Sequence, residues 1–221
     1  WEYEQYQKLM PEINLDEVGG LISKYIHEDP AIVITSQAAS ITEAELEQIV
    51  KEVNASQLEP YKDSAAGLTL MKETPKKGKI SKKSKADANG VVTYELANGA
   101  KVVYMKTTHK NDEILFKGYS YGGLSLISDD LYKSTKWALN GLSDAGVNGL
   151  SLNDLTKVMS GKSVNVNPSI SQYEESLGGS SSNKDFETLF QMIHSYFTGL
   201  NKDEAAYQSF VQKTRGMYDN I

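Results

Sequence analysis

The stretch that decides the fold runs from Val91 to Asp130, VVTYELANGAKVVYMKTTHKNDEILFKGYSYGGLSLISDD. Side chains alternate between two faces on either side of Asn98-Gly99, a dipeptide that strongly favours a β-hairpin turn. A third strand over residues 114–121 ends at Gly122-Gly123, where the backbone can turn sharply or approach another group closely. A helix then begins at Asp129-Asp130. The pattern predicts antiparallel strands followed by a covering helix.

Downstream of this stretch, the sequence predicts more helices and a second hairpin. Helical spacing of apolar residues starts at Ser151 and again at Asn183, where the predicted inward residues are Phe186, Leu189, Phe190, Ile193 and Phe197. A last helix is predicted around residues 206–214. Between them, 162–167 is predicted as a strand interrupted by Pro168, with 170–177 as its partner and 178–182 as a loop. Hairpins followed by helices predict an α+β fold, an antiparallel sheet covered on one face by helices.

The first 59 residues are predicted to be the tail of a preceding unit. Asn14 with Glu17, and Thr42 with Glu45, have the spacing of capping boxes ahead of helices. The apolar run at residues 31–35 is typical of a buried strand. Helix, strand and helix form only a partial α/β unit, which is too small to own a complete core. A chain that begins at Trp1 without Met is interpreted as mature, trimmed or an excised fragment.

Residues 60–90 are predicted to form a linker. The segment contains Pro and Gly residues, has little periodicity, and carries seven Lys between Lys72 and Lys85. One hypothesis is a basic patch for an acidic partner. We favour a solvated connector, because no aromatic residues interleave these Lys side chains as a nucleic-acid surface would need.

The composition excludes several classes of function. A net charge of -6 disfavours binding to nucleic acid or to an anionic membrane, and Arg215 is the only Arg among 221 residues. Cys is absent, which removes disulfides, thiolate metal sites and Cys nucleophiles. No apolar run approaches the length of a membrane span.

Two segments carry a family resemblance. The series TYELANGAKVVYMKTTHKNDEILFKGYSYGGLSLI, followed by a helix and GLSLNDLTKVMSGKSVNVNPSIS, resembles a repeat of the insulinase/pitrilysin family of zinc metallopeptidases. The similarity is to long bacterial members with several repeats in one polypeptide, and INLDEVGGLISKYIHEDPAIVITSQ is similar to the tail of a preceding repeat. The resemblance implies that residues 91–221 are the first part of a repeat that is truncated at Ile221.

The resemblance implies a zinc enzyme whose metal site lies elsewhere. Catalytic repeats of the family bind zinc through an H-x-x-E-H motif on a helix. The helix at that place contains KSTKWALN, residues 133–140, with neither His nor Glu. His27, His109 and His194 lie too far apart in sequence to replace the motif locally. We therefore expect no catalytic residue, metal ligand or cofactor in this chain, with zinc held by the catalytic repeat of the parent protein.

The remaining expectations concern binding. Non-catalytic repeats of the family enclose a chamber and contact the peptide substrate, which implies peptide or protein substrates and the catalytic half of the same polypeptide as partners. Five residues are the speculative substrate-binding set: Tyr119, Tyr121, Gly122, Gly123 and Trp137. For Tyr119 and Tyr121 the alternative is ordinary sheet packing, for Gly122-Gly123 a turn, and for Trp137 plain exposure. Resemblance to bacterial members favours a periplasmic or secreted location.

Two other functions stay open at this point. Relatives that have lost catalysis serve as structural partners, so a stand-alone scaffold or interaction protein is one alternative. A binding module that uses the Lys-rich segment 72–85 is the other. The carboxylate pairs Asp129-Asp130 and Glu174-Glu175 could suggest a hydrolytic dyad. We interpret the first pair as a helix start and the second as alternate faces of one strand.

Overall fold

The computed structural model describes residues 1–25, 32–35, 41–57, 59, 62–63 and 66–219. It divides into two compact units, Trp1–Tyr61 and Lys62–Ile221. The described part of the first unit contains α1 (Glu2–Leu9), a 3-10 turn (Met10–Glu12), α2 (Leu15–Tyr25) and α3 (Glu43–Ala55).

The helices of the first unit begin where the sequence predicts, but the prediction of a strand between them is wrong. Asn14 Oδ1 accepts a hydrogen bond from the Glu17 N–H at 3.0 Å, and Thr42 with Glu45 forms a complete capping box. Residues 32–35 have no regular secondary structure, while Ala31 and His27 lie outside the described residues. No described side chain of this unit is buried, so these residues lack the apolar surroundings that stabilise a buried strand.

The second unit confirms the α+β class. Its strands are β1 (Ile80–Lys83), β2 (Val92–Leu96), β3 (Lys101–Tyr104), β4 (Ile114–Tyr121), β5 (Val164–Ile170) and β6 (Glu174–Ser181). Its helices are α4 (Asp129–Ala145), α5 (Leu152–Val158), α6 (Phe186–Thr198) and α7 (Glu204–Asp219), with a 3-10 turn (Gly123–Leu126) before α4.

The described strands form two antiparallel sheets, where the sequence predicts one. The first sheet has the order β1-β2-β3 and the second β4-β6-β5. The predicted turn joins β2 to β3, with Gly99 at φ +87°, a conformation that favours glycine. β4 pairs over its whole length with β6, from Ile114 opposite Ser181 to Tyr121 opposite Glu174. Because β4 pairs with β6, it belongs to a different sheet from the β2–β3 hairpin.

Part of the segment predicted as a linker is structured. β1 pairs with β2, and the Lys82 Nζ lies 3.8 Å from a Glu95 carboxylate oxygen. Leu70 is buried in a core cluster with Val147 and Met192. Burial of Leu70 and pairing of β1 with β2 both oppose an extended, solvated conformation of the segment. The high Lys content of the segment favours the linker prediction and gives no sign of either contact.

The second hairpin differs from the prediction in two places. β5 continues through Pro168, which pairs with Leu177, because β5 is an edge strand and tolerates a residue without an N–H. Residues 178–181 of the predicted loop are instead the end of β6, the central strand of its sheet. Gly and Ser residues disfavour strands by propensity, but packing against a helix outweighs that preference here.

Helix α6 lies on this sheet through a buried cluster of Leu177, Leu189 and Ile193. Leu189 has no exposed surface. A Cβ added to Gly179 of β6 would lie 3.0 Å from Leu189 Cδ1 and 2.9 Å from the Asn165 carbonyl oxygen. The absence of a side chain at Gly179 therefore lets the helix approach the sheet closely.

The buried stripe of α6 is rotated from the predicted one. Its buried residues are Thr188, Leu189, Met192, Ile193 and Ser195, while Phe186, Phe190 and Phe197 are exposed over 47%, 44% and 76% of their surfaces. Phe190 packs edge-on against Phe116 of β4 and against Phe186. The large rings follow the flank of the helix because small and aliphatic residues fit its close contact with the sheet.

Substitution of Gly179 by Ala tests this contact. The added methyl must displace Leu189 or the β5 backbone, and overpacking of this kind costs about 1–3 kcal/mol of unfolding free energy. Gly178→Ala is the matched control, because a Cβ there meets nothing within 4 Å. Urea denaturation should show a clear loss for Gly179→Ala and little change for Gly178→Ala. Equal losses would contradict the close approach of α6.

Candidate functional site

The candidate site is built on β4, an edge strand of its sheet. The Gly122 N–H donates to the Tyr173 carbonyl at 2.8 Å, one residue beyond the β4–β6 pair Tyr121–Glu174. Hydrogen-bonded pairs alternate in an antiparallel ladder. The backbone groups of residues 114, 116, 118 and 120 therefore bond to β6. Those of residues 115, 117, 119 and 121 point to the free edge.

The opposite edge of the sheet is blocked. The Ser171 N–H donates to the Glu174 carbonyl at 2.8 Å, which sets the alternation along β5. By that alternation, the backbone groups of Pro168 point away from β6, toward the outer edge of β5, and the proline nitrogen there carries no hydrogen. Proline on an outward-facing position prevents a further strand from pairing there. Within the described part of this sheet, β4 is the edge that can accept a strand.

Exposed side chains surround the open edge. Tyr119 and Tyr121 are exposed over 59% and 80% of their surfaces, and their rings meet edge to face with centroids 5.6 Å apart. The Lys117 Nζ lies 5.8 Å from the centre of the Tyr119 ring and 3.3 Å from Glu174 Oε1. These residues alternate with Phe116, which packs toward α6, so they occupy the face of β4 away from that helix.

Gly122 and Gly123 form the turn that ends β4. Gly123 has φ +59°, and a Cβ there would lie 2.4 Å from the Ser171 carbonyl oxygen. The N–H groups of Leu124 and Ser125 donate to Ser171 and Gln172 of the β5–β6 turn at 2.9 Å each. The two glycines thus let the chain dock on the neighbouring hairpin. Their role in binding substrate stays a prediction.

A polar pair that was not predicted from the sequence lies on the helix-facing side of β4. Ser120 stands opposite Glu175 in the ladder, and its hydroxyl donates to Glu175 Oε2 at 2.9 Å. This hydrogen bond, with those from the backbone N–H groups of Glu175 and Gly123, lowers the pKa of the Glu175 carboxyl below its usual value. Glu174, by contrast, faces Lys117, so the two glutamates point to opposite faces as predicted. The pair depends on the β4–β6 register, which no local signal in the sequence provides.

An apolar cavity of about 390 Å³ lies on the same side of β4. Its walls come from the sheet, from α4 and from the end of α6, and include Phe116, Gly118, Leu139, Leu142, Tyr196 and Phe197. Glu175 is the one ionisable carboxylate in the lining. The apolar residues Leu139 and Leu142 of α4 therefore cover a partly filled space, while Leu131 is exposed over 55% of its surface.

Trp137 belongs to a different surface from the tyrosines. Its ring packs edge to face against Tyr218 of α7, with centroids 6.4 Å apart, and 42% of its surface is exposed. Next to it, a Cβ on Gly141 would lie 3.5 Å from Phe210 Cδ1, so this side of α4 packs on α7. The structure brings Tyr119, Tyr121, Gly122 and Gly123 together and places Trp137 in the α4–α7 contact.

Comparison with known proteins points to zinc proteases. The chain is 29% identical to a zinc protease PQQL-like protein of Arabidopsis thaliana over 140 residues, which are 60% of this chain and 15% of that protein. It is 20% identical to a protein named "Probable zinc protease PqqL" from Haemophilus influenzae, across 99% of this chain and 24% of the relative. No family model matches the chain. Its sequence is similar to those of the PqqL-type zinc proteases.

Solved structures show the same fold in proteases. The periplasmic protease PqqL from Escherichia coli matches with a TM-score of 0.61 and 22% identity, over 76% of this chain and 19% of that one. The ferredoxin protease FusC, solved in complex with Arabidopsis ferredoxin, matches with a TM-score of 0.53 and 16% identity, over 72% and 18%. The predicted insulinase-like resemblance is confirmed. The chain spans less than a quarter of the length of each of these proteins.

The residues described here do not fit a zinc centre. α4 carries Lys133, Lys136 and Asn140 in the segment where the resemblance places the metal motif. His109 lies in an exposed bend, and the His194 Nδ1 lies 3.0 Å from the Thr198 hydroxyl. Across the described ranges, no group of three or more His, Asp and Glu side chains could hold a metal ion. No described helix is long and apolar enough to cross a membrane.

Replacement of Ser120 by Ala tests the arrangement of the carboxylate. Loss of the hydroxyl donor should raise the pKa of Glu175 toward its ordinary value, because that hydrogen bond favours the charged form. A lowered carboxyl pKa stabilises the fold above the unfolded-state value and loses that contribution as pH falls through the folded-state value. NMR titration of the Glu175 side chain would measure the change, with Ser125→Ala as the control, since its hydroxyl donates to the Gly122 carbonyl instead. An unchanged Glu175 pKa in Ser120→Ala would contradict the assignment.

Proposed function

We propose that this chain is a catalytically silent part of a zinc metalloendopeptidase and forms part of the chamber that encloses peptide substrates. Its relatedness to PqqL-type zinc proteases supports the reaction class of the parent protein. The short share of those relatives that it spans, and α4 without His or Glu at residues 133–140, support a piece whose partner is the catalytic half of the same polypeptide. The periplasmic PqqL structure supports a periplasmic location.

The observation that carries the binding role is the free edge of β4. Its outward N–H and C=O groups at Tyr119 and Tyr121 can pair with the main chain of an extended peptide. Main-chain pairing accepts many sequences, as a peptidase chamber requires. The exposed rings of the same residues offer apolar contact beside the added strand. A FusC complex with ferredoxin supports proteins as well as peptides as substrates of such an enzyme.

Proline at position 119 tests strand addition. Because the Tyr119 N–H points away from β6, Tyr119→Pro removes an outward donor and leaves the β4–β6 hydrogen bonds in place. Tyr119→Ala is the matched control, since it removes the ring and keeps the N–H. Binding of fluorescein-labelled, reduced and carboxymethylated lactalbumin, followed by anisotropy, should weaken about three- to tenfold more in Tyr119→Pro than in Tyr119→Ala.

The two variants separate main-chain pairing from side-chain contact. Equal binding by Tyr119→Pro and Tyr119→Ala, with both folded by circular dichroism, would contradict strand addition at β4. If both variants bound the lactalbumin equally weakly compared with the unmodified chain, the contact would be made by the Tyr119 ring and not by the main chain.

A further inference from the structure

The free edge and the apolar cavity adjoin through Gly118. Alternate residues of β4 face the helix side of the sheet, and Phe116, Gly118 and Ser120 all line the cavity from that side. Gly118 has no side chain, and the nearest atom to a Cβ built there is Phe116 Cζ at 3.2 Å. On the helix side of β4, Gly118 therefore leaves a gap between the Phe116 ring and the short Ser120 side chain.

A strand added to β4 would send every second side chain toward this cavity. Neighbouring strands lie about 4.7–4.9 Å apart, and directly opposed side chains share a face. A peptide residue opposite Gly118 would enter the apolar space beside Phe116 and Phe197. The peptide residue opposite Ser120, two positions away, would extend over a short side chain toward Glu175.

Among the residues that the structure describes, no cation pairs with the Glu175 carboxylate at this second position. The donors around the Glu175 carboxylate are neutral, the Ser120 hydroxyl and backbone N–H groups. Ion pairs in the described part of the sheet join Lys117 to Glu174, on the other face. Two strand spacings separate an added strand from β6, about 10 Å, and the Glu175 side chain already spans one of them to reach Ser120. A Lys or Arg side chain can span the other.

We infer that the cavity is a side-chain subsite for extended peptides that carry a large apolar residue and a basic residue two positions apart. The apolar residue occupies the space opposite Gly118, and the basic residue pairs with Glu175 across Ser120. The order of the two depends on whether the peptide runs parallel or antiparallel to β4. The inference rests on the proposed strand addition and adds to it a preference that main-chain pairing cannot supply.

Labelled heptapeptides test the spacing. Thr-Thr-Phe-Thr-Lys-Thr-Thr and its reverse order Thr-Thr-Lys-Thr-Phe-Thr-Thr carry the required pair, and fluorescence anisotropy measures their binding to the full chain. Thr-Thr-Phe-Lys-Thr-Thr-Thr has the same composition with adjacent residues on opposite faces. One of the first two peptides should bind about fivefold or more tightly than this scrambled control. Replacement of its Lys by Gln should cost about fivefold, the size of a partly exposed ion pair.

Two variants assign the effect to the subsite. Glu175→Gln should abolish the discrimination between the Lys and Gln peptides. It should leave unchanged the preference for Phe over Ala, measured with a further peptide that has Ala in place of Phe. Gly118→Leu should reduce the preference for Phe over Ala by filling the space opposite it. Leu115→Ala, on the other face of β4, is the control and should change neither preference.

The outcomes distinguish the subsite from the strand addition on which it rests. Binding that is lost in Tyr119→Pro but shows no dependence on spacing would overturn the subsite and leave the proposed function standing. Absence of binding by every peptide up to millimolar concentrations would overturn both. A spacing preference that survives unchanged in Glu175→Gln and in folded Gly118→Leu would also overturn the subsite.

Discussion

The close contact of Leu189 with Gly179 is the constraint on which the second sheet depends. Leu189 is fully buried, and its methyl group occupies the space that a side chain on β6 would need. A helix this close to a sheet fixes β6 as the central strand, because both neighbouring strands must then contribute apolar residues around the same point. Val166 of β5 and Phe116 of β4 do so on either side of Gly179. Without the glycine, α6 would lift away and the cluster would lose its packing.

The two edges that result are chemically unequal. β5 presents Pro168 at its outer side, which protects that edge from further pairing. β4 presents unpaired main-chain groups flanked by Tyr119 and Tyr121, ends in a turn held by Gly123, and adjoins an apolar cavity. An open edge of this kind is a liability in a protein without a use for it. The proposed strand addition would give this edge a use.

Much of this architecture could be predicted from the sequence where the signal is local. The Asn98-Gly99 turn, the capping box at Thr42 and the Ser151 cap each depend on residues within a few positions, and all three are present. The α+β class followed from hairpins and helices taken together. The family resemblance was also visible, because it is spread over many positions of moderate specificity.

The remaining features depend on contacts distant in sequence. The end of β6, residues 178–181, was predicted as a loop because Gly disfavours strands, and the approach of α6 accounts for Gly179. The pairing of β4 with β6, and with it the second sheet, could not be inferred from hydrophobic periodicity. The same pairing brings Ser120 to Glu175, so the polar pair of the site was invisible until the register was known. The contact of Trp137 with Tyr218 likewise depends on the position of α7.

Hydrogen exchange of the β4 amides, resolved residue by residue by NMR, tests the central claim most directly. In the free chain we expect the amides of Lys117, Tyr119 and Tyr121 to exchange much faster than those of Phe116, Gly118 and Ser120, which bond to β6. An extended peptide that adds to this edge should slow the first set and leave the second unchanged. Equal protection of both sets in the free chain, or no slowing of the outward amides by saturating peptide, would contradict the account.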